Sequence, residues 1–221
     1  DAQESRGLGD VYKRQINNQS NTSNDIFGWT NSGVRYSTFA NPKKALNQAV
    51  HHELLASALV VAKGHAIDPG FKIGCMCAFV PFYPYSCNPD DMIMAQESMH
   101  ERYYFSDVHC RGHYPAYARK QWAREGTAPE MLPGDEEILA GGTVDYIGIS
   151  YYMSNCVRSD VEVENAGLSG GNAHTVPNPY VKASEWGWQI DPVGLRYSLN
   201  ALYERCLLYT SDAADEEDSV D

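Results

Sequence analysis

Long hydrophobic runs are missing from this 221-residue chain. Nowhere do about eighteen apolar side chains follow one another, so no segment can cross a bilayer as a helix. The first residues also lack the charged-then-apolar layout of a secretory signal, and the expectation is a soluble protein. No C-x-x-C pair occurs among Cys75, Cys77, Cys87, Cys110, Cys156 and Cys206. That scatter argues against a zinc or disulfide framework and for free, buried or half-buried thiols in a reducing cytosol. Basic residues are scarce, with 17 Lys and Arg against 29 Asp and Glu and a net charge of −12. An acidic balance of that size excludes nucleic acid and anionic membranes as natural partners. The glycine-rich stretch 167–171 has no strand before it, no helix after it and no Gly-Lys-Ser/Thr, so it is no phosphate cradle.

What is present is ordinary globular composition, 43% apolar and 21% charged. The two ends differ from the middle. Residues 1–15 show no sustained hydrophobic period, and residues 206–221 hold six acidic residues without one Lys or Arg. Both ends resemble translated adaptor sequence, notably RGLGDVYKRQ and CLLYTSDAADE; a disordered natural leader and an acidic tail are the alternative. The folded unit is therefore expected within Ile16–Arg205.

Inside that stretch the periodicity alternates. Asn41 is a natural N-cap with Pro42 at the first helical position, and Leu46, Val50, Leu54, Ala58 and Val61 recur at helical spacing to about Ala66. Asp68-Pro69-Gly70 supplies turn chemistry. Phe71–Val80 reads as a strand buried on both faces, and Cys75 and Cys77 share one side of it. Pro81–Asp91 reads as a loop. Asp90 or Asp91 opens a second helix predicted through Tyr104, and Tyr114–Glu125 a third, ended by Gly126. A short helix is predicted over Glu136–Ala140, closed by Gly141-Gly142. Val144–Tyr152 is a second buried strand, Ser154–Gln189 a long polar loop, and Pro192–Arg205 a helix carrying Leu195, Leu199, Leu202 and Tyr203.

Strands separated by helices imply βαβ units and a parallel sheet, hence an α/β fold. Each strand precedes an elaborate loop, which suits a barrel. An open doubly wound sheet fits less well, because no glycine fingerprint follows either strand. Periodicity alone leaves both available.

Particular segments carry a resemblance. Asp145-Tyr-Ile-Gly-Ile-Ser-Tyr-Tyr-Met-Ser154 resembles the sixth barrel strand of family 1 glycoside hydrolases. Ala183–Leu195 (ASEWGWQIDPVGL) is similar to the segment feeding that family's sixth helix. Gly74–Asp91 and Val176–Asp191 resemble the 6-phospho-β-glucosidase branch in particular. The resemblance spans residues 16–205 and implies part of a (β/α)8 TIM barrel, from the end of its fourth strand through its sixth helix. It also implies hydrolysis with retention, which needs two carboxyl groups roughly 5 Å apart, one acid and one nucleophile. In the family the acid/base is the Glu of an Asn-Glu pair ending the fourth strand, and the nucleophile is the Glu of Glu-Asn-Gly ending the seventh.

Here Gln15 occupies the acid/base position, with Arg14 before it, and the nucleophile would fall beyond Arg205. Glutamine can neither protonate a leaving group nor act as general base. The chain as written is therefore expected to be inactive, with no catalytic residue of its own.

The resemblance assigns the remaining site residues. Tyr152 matches the tyrosine that hydrogen-bonds the nucleophile. Ser150 stands where many members have a sugar-contacting Asn. Trp186 suits an aglycone subsite, while Trp188 reads as a packing residue. Asn17 and Asn18, followed by Gln19, could reach substrate. Tyr83, Tyr85, Asn88 and Asp90 fall on the site face of the barrel, with a structural loop role at least as fitting. His51 and His52 are adjacent on a helix and point apart, and His109 and His113 flank Gly112 without a matching partner, so no metal is expected. Glu97 and Glu101 read as a solvated helix face.

The implied activity is hydrolysis of a small-molecule 6-phospho-β-glucoside in carbohydrate metabolism. It would take place in the cytoplasm, without a cofactor, and the homo-oligomeric state of the parent is left open. A β-glucosidase acting on unphosphorylated β-glucosides and a non-catalytic carbohydrate-binding barrel fragment are the alternatives.

Overall fold

The computed structural model describes residues 33–163 and 171–206. A 3-10 turn, Tyr36–Thr38, leads to α1 (Pro42–Ile67), β1 (Gly74–Ala78), β2 (Phe82–Pro84), α2 (Pro89–Arg111), α3 (Ala116–Glu125), α4 (Asp135–Ala140), β3 (Tyr146–Ser150), β4 (Asn155–Val157), β5 (Thr175–Val176) and α5 (Pro192–Arg205). The described residues divide into two compact units. The first holds α1, β1, the second half of α2 from Tyr104, α3, α4 and β3; the other holds β2, α2 up to Tyr103, and everything from Tyr151.

In the first unit α1 starts as expected, with Asn41 Oδ1 accepting from Lys44 N at 3.0 Å and Pro42 in the first turn. Its stripe Leu46, Val50, Leu54, Ala58 and Val61 is buried, one residue per helical turn. Burial of each large aliphatic side chain contributes about 1.5–3 kcal/mol. The stripe joins a core with Cys75 and Cys77 of β1, Phe105 and Val108 of α2, Trp122 of α3 and Leu139 of α4. β1 and β3 pair in parallel from Gly74↔Tyr146 to Ala78↔Ser150. A parallel pair needs a crossover, and α2, α3 and α4 lie between the two strands in the chain.

Three expectations change here. α2 runs on to Arg111 rather than stopping near Tyr104, because Phe105 and Val108, three residues apart, are buried on one face of it. His109 is thereby helical and buried, not in a loop; its Nδ1 bonds the Phe105 carbonyl at 2.8 Å and its Nε2 meets Ser57 Oγ at 3.2 Å. β3 is half-buried along all five residues rather than buried on both faces, since β1 is its one paired neighbour among the described residues.

In the second unit β2 pairs in parallel with β4, Phe82↔Asn155 to Pro84↔Val157, and β4 pairs antiparallel with β5 through Cys156↔Val176. The stretches expected as loops before and after therefore contain strands. Isolated bridges from Gln189 to Ser154 and Ala183 order the remainder further. Backbone polar groups buried under Phe79, Phe82 and Val157 need partners, and these short ladders supply them. α5 matches its expected limits but buries a different face. Gly194, Ser198 and Leu202 are inside, whereas Leu195, Leu199 and Tyr203 are 40–50% exposed. Small residues at positions 194 and 198 let the helix backbone approach its neighbours closely, which decides the inward face.

Candidate functional site

Ser150 ends β3 in the first unit, where it is half-buried and its hydroxyl donates to Met76 Sδ at 3.6 Å. Everything else described about the site lies in the second unit.

There Tyr151 and Tyr152 follow directly on the end of β3. A cavity of about 310 Å³ opens beside them, lined by both tyrosines together with Ser184, Trp188, Gln189, Ile190, Asp191, Pro192 and Leu195. Tyr152 and Trp188 form its aromatic walls, ring centroids 6.0 Å apart and tilted by 60°. The volume suits one small ring, and apolar walls with few polar groups suit an uncharged aromatic or sugar face.

The opposite side of the cavity is polar and fixed. The Tyr151 hydroxyl donates to the Asp191 carbonyl at 2.6 Å. The Asp191 carboxylate accepts from the Tyr83 hydroxyl at 2.9 Å and caps α5 by accepting from Gly194 N at 2.9 Å. Tyr83 also meets the Tyr197 ring edge-on at 5.5 Å. Burial, and then the charge of Asp191, push the Tyr151 hydroxyl up to about 12. Burial, reinforced by its bond to Asp191, raises Tyr83 far above the ordinary tyrosine range. Both hydroxyls thus stay protonated and donate at any working pH. Gln189, buried, donates to the Ser154 carbonyl at 2.6 Å and accepts from Asn178 N at 2.7 Å.

The structure brings Tyr152 together with Trp188, the tryptophan that sequence reading assigned to packing. Trp186 is 86% exposed and is not among the residues lining the cavity. Glycine at 187, with φ of 78°, turns the chain between the two rings. Asn88 and Asp90 shape a helix start, Asp90 N donating to Asn88 Oδ1 at 3.2 Å, while Tyr85 lies under the Arg158 guanidinium at 5.0 Å. Gln15, Asn17, Asn18 and Gln19 lie outside the described residues. His51 and His52 point apart, His51 inward and His52 to Gln48 Nε2 at 3.0 Å. Glu97 and Glu101 lie on an exposed face. Among the described residues, no group of three or more His, Cys, Asp or Glu side chains could hold a metal ion. The Asp191–Tyr83–Tyr151 linkage escaped sequence reading; the Asp191-Pro192 cap signal was its one trace.

The family model described as Glycosyl hydrolase family 1 matches residues 12–211. The chain belongs to glycosyl hydrolase family 1. As a family 1 chain it is 53% identical over 193 residues to the aryl-phospho-β-D-glucosidase BglA of Bacillus subtilis, covering 86% of this chain and 40% of that protein. It is 50% identical over 163 residues to a 6-phospho-β-glucosidase of Clostridium longisporum, covering 74% and 34%. The chain therefore spans about 40% of the length of BglA. Its structure is similar to the family 1 glycoside hydrolase of Thermotoga maritima, with TM-score 0.59 and 24% identity over 74% of this chain and 35% of that one. The fold is accordingly part of a (β/α)8 barrel, and the described strands do not close one.

Proposed function

We propose that this family 1 chain supplies the middle of a cytoplasmic, cofactor-independent retaining glycosidase that hydrolyses aryl 6-phospho-β-glucosides. The observation that carries the reading is its 53% identity to a relative named for that substrate class. The cavity between Tyr152 and Trp188 agrees with it, because an aromatic aglycone fits between aromatic walls. Residues 16–205 form the barrel portion in this reading, with 1–15 and 206–221 as flanks; the family match also takes in residues 12–15 and 206–211.

In the reaction a carboxylate attacks the anomeric carbon while a carboxylic acid protonates the departing aglycone oxygen; water, giving its proton to that same residue, then attacks the anomeric carbon and releases the carboxylate. Tyr152 donates a hydrogen bond to the nucleophile, steadying its charge and aiming its lone pair. Ser150, Asn17 and Asn18 contact sugar. With Gln15 at the acid position, the chain as written supports binding without turnover.

The test is expression of the whole gene that encodes residues 16–205, assayed with p-nitrophenyl β-glucoside and its 6-phosphate, the product anomer being followed by NMR. A preference for the phosphate of at least about 100-fold, with retention, is expected. Equal rates would favour a β-glucosidase of unphosphorylated substrates. A folded protein without turnover would favour a non-catalytic carbohydrate-binding fragment.

A further inference from the structure

The two aromatic walls belong to different segments, joined by a Gln189–Ser154 bond and by a polar junction at Asp191. Tyr152 follows β3, and the hydroxyl of its chain neighbour Tyr151 donates to the Asp191 carbonyl. Trp188 stands three residues before Asp191. Its own backbone is held locally, by Ser184 N donating to the Trp188 carbonyl at 2.8 Å and Trp188 N donating to Ser184 Oγ at 3.2 Å. Gln189, the next residue, ties the segment to Ser154 by donating to its carbonyl at 2.6 Å, and Asp191 ties it to Tyr151. The Asp191 side chain is pinned from β2 by Tyr83 and from α5 by Gly194 N.

Gly194 shows how tight the junction is. A Cβ there would collide with the Tyr151 hydroxyl, and it would lie 2.5 Å from Asp191 Oδ2 and 2.9 Å from the Tyr83 hydroxyl. Three polar groups converge on one helix start, which is more than capping a helix requires, since Gly194 N alone satisfies the cap.

We infer that Tyr83 and Asp191 are positioning residues that hold Trp188 beside Tyr152 and thereby set the affinity of this cleft for aromatic groups. This rests on the aryl-glycosidase reading for its ligand, but not for its geometry. A cap serves the helix alone, so a purely structural role predicts that loss of the Tyr83 hydroxyl changes nothing at Trp188. A positioning role predicts that Trp188 responds.

The experiment uses the 221-residue chain labelled with 5-fluorotryptophan, the Trp188 resonance being assigned by Trp188→Phe, with p-nitrophenol as the probe. Tyr83→Phe and Tyr151→Phe are each expected to shift or broaden the Trp188 resonance while leaving that of Trp122, in the other unit, unchanged. Both should weaken p-nitrophenol binding about fivefold, the loss that one ordinary hydrogen bond corresponds to. A Trp188 resonance and a p-nitrophenol affinity unchanged in both variants would overturn the inference. Should p-nitrophenol leave Trp188 of the parent chain unperturbed, the aryl-binding reading fails, and the Trp188 resonance in the two variants still decides the positioning. Tyr151→Phe carries the test alone if Tyr83→Phe disturbs every resonance.

Discussion

His51 Nε2 and Asp135 Oδ2 lie 2.9 Å apart in the interior of the first unit, although 84 residues separate them in the chain. The carboxyl is held below its ordinary value of 3.8, first by the Leu132 N–H and then by His51, so it accepts. Nε2 therefore donates to it, and Nδ1 is hydrogen-bonded to the Tyr114 hydroxyl at 2.6 Å. Helix α1, the loop before α3 and the start of α4 are joined by this one imidazole. Tyr114→Phe removes that hydroxyl and leaves Nδ1 buried without it. The expected loss is about 1–3 kcal/mol, seen as a fall of several degrees in Tm by calorimetry. An unchanged Tm would show that the chain of hydroxyl, ring and carboxylate does not hold the unit together.

Acid should loosen the second unit through Asp91. Its carboxyl is lowered from 3.8 to about 2, by the Ser159 N–H first and then by the Ser159 and Ser86 hydroxyls, the latter two bonds being 2.7 Å long. A depressed carboxylate contributes stability that is complete above its unfolded value and is lost as pH falls through the folded one. Stability should thus decline between pH 3.8 and about 2. Asp91→Asn should be less stable at neutral pH and flatter across that window in urea titrations.

Neighbouring glycines should behave differently. A Cβ at Gly142 would run into the backbone of Ala58 in α1, whereas one at Gly141 would meet the Glu137 carbonyl at 3.2 Å. Backbone cannot step aside as a flexible side chain does. Gly142→Ala is expected to cost about 1–3 kcal/mol in urea unfolding, and Gly141→Ala clearly less. Equal costs would remove the close approach of this turn to α1 as the reason for glycine.

On the proposed function, Tyr152→Phe made in the whole expressed gene should lower kcat by about 10²-fold with a smaller change in KM, as expected for a donor that supports the reacting carboxylate. A change confined to KM would instead make Tyr152 a wall of the cleft only.

Much of this was legible in the sequence because it is written in local chemistry. Asn41-Pro42 names the start of α1 through a side-chain acceptor and a fixed φ, Pro192 marks that of α5, and both helices begin there. The α1 stripe follows from a period of 3.6, and β1 and β3 from short apolar runs that lie in the family's order. Family membership followed from segments such as DYIGISYYMS, and the family match confirms it.

The tertiary structure decided what depends on a partner distant in the chain. Whether α2 stops at Tyr104 or continues turns on a place for Phe105 and Val108 to be buried. Which face of α5 is inside turns on Gly194, whose smallness matters only where the hydroxyls of Tyr83 and Tyr151 already stand. Trp188 and Trp186 are two residues apart in one loop, yet Trp188, 38% exposed, lines the cavity and Trp186, 86% exposed, does not. Period and propensity describe a segment against itself. Burial, hydrogen-bond closure and the pairing of Tyr152 with Trp188 depend on which segments meet, and only the folded chain supplies that.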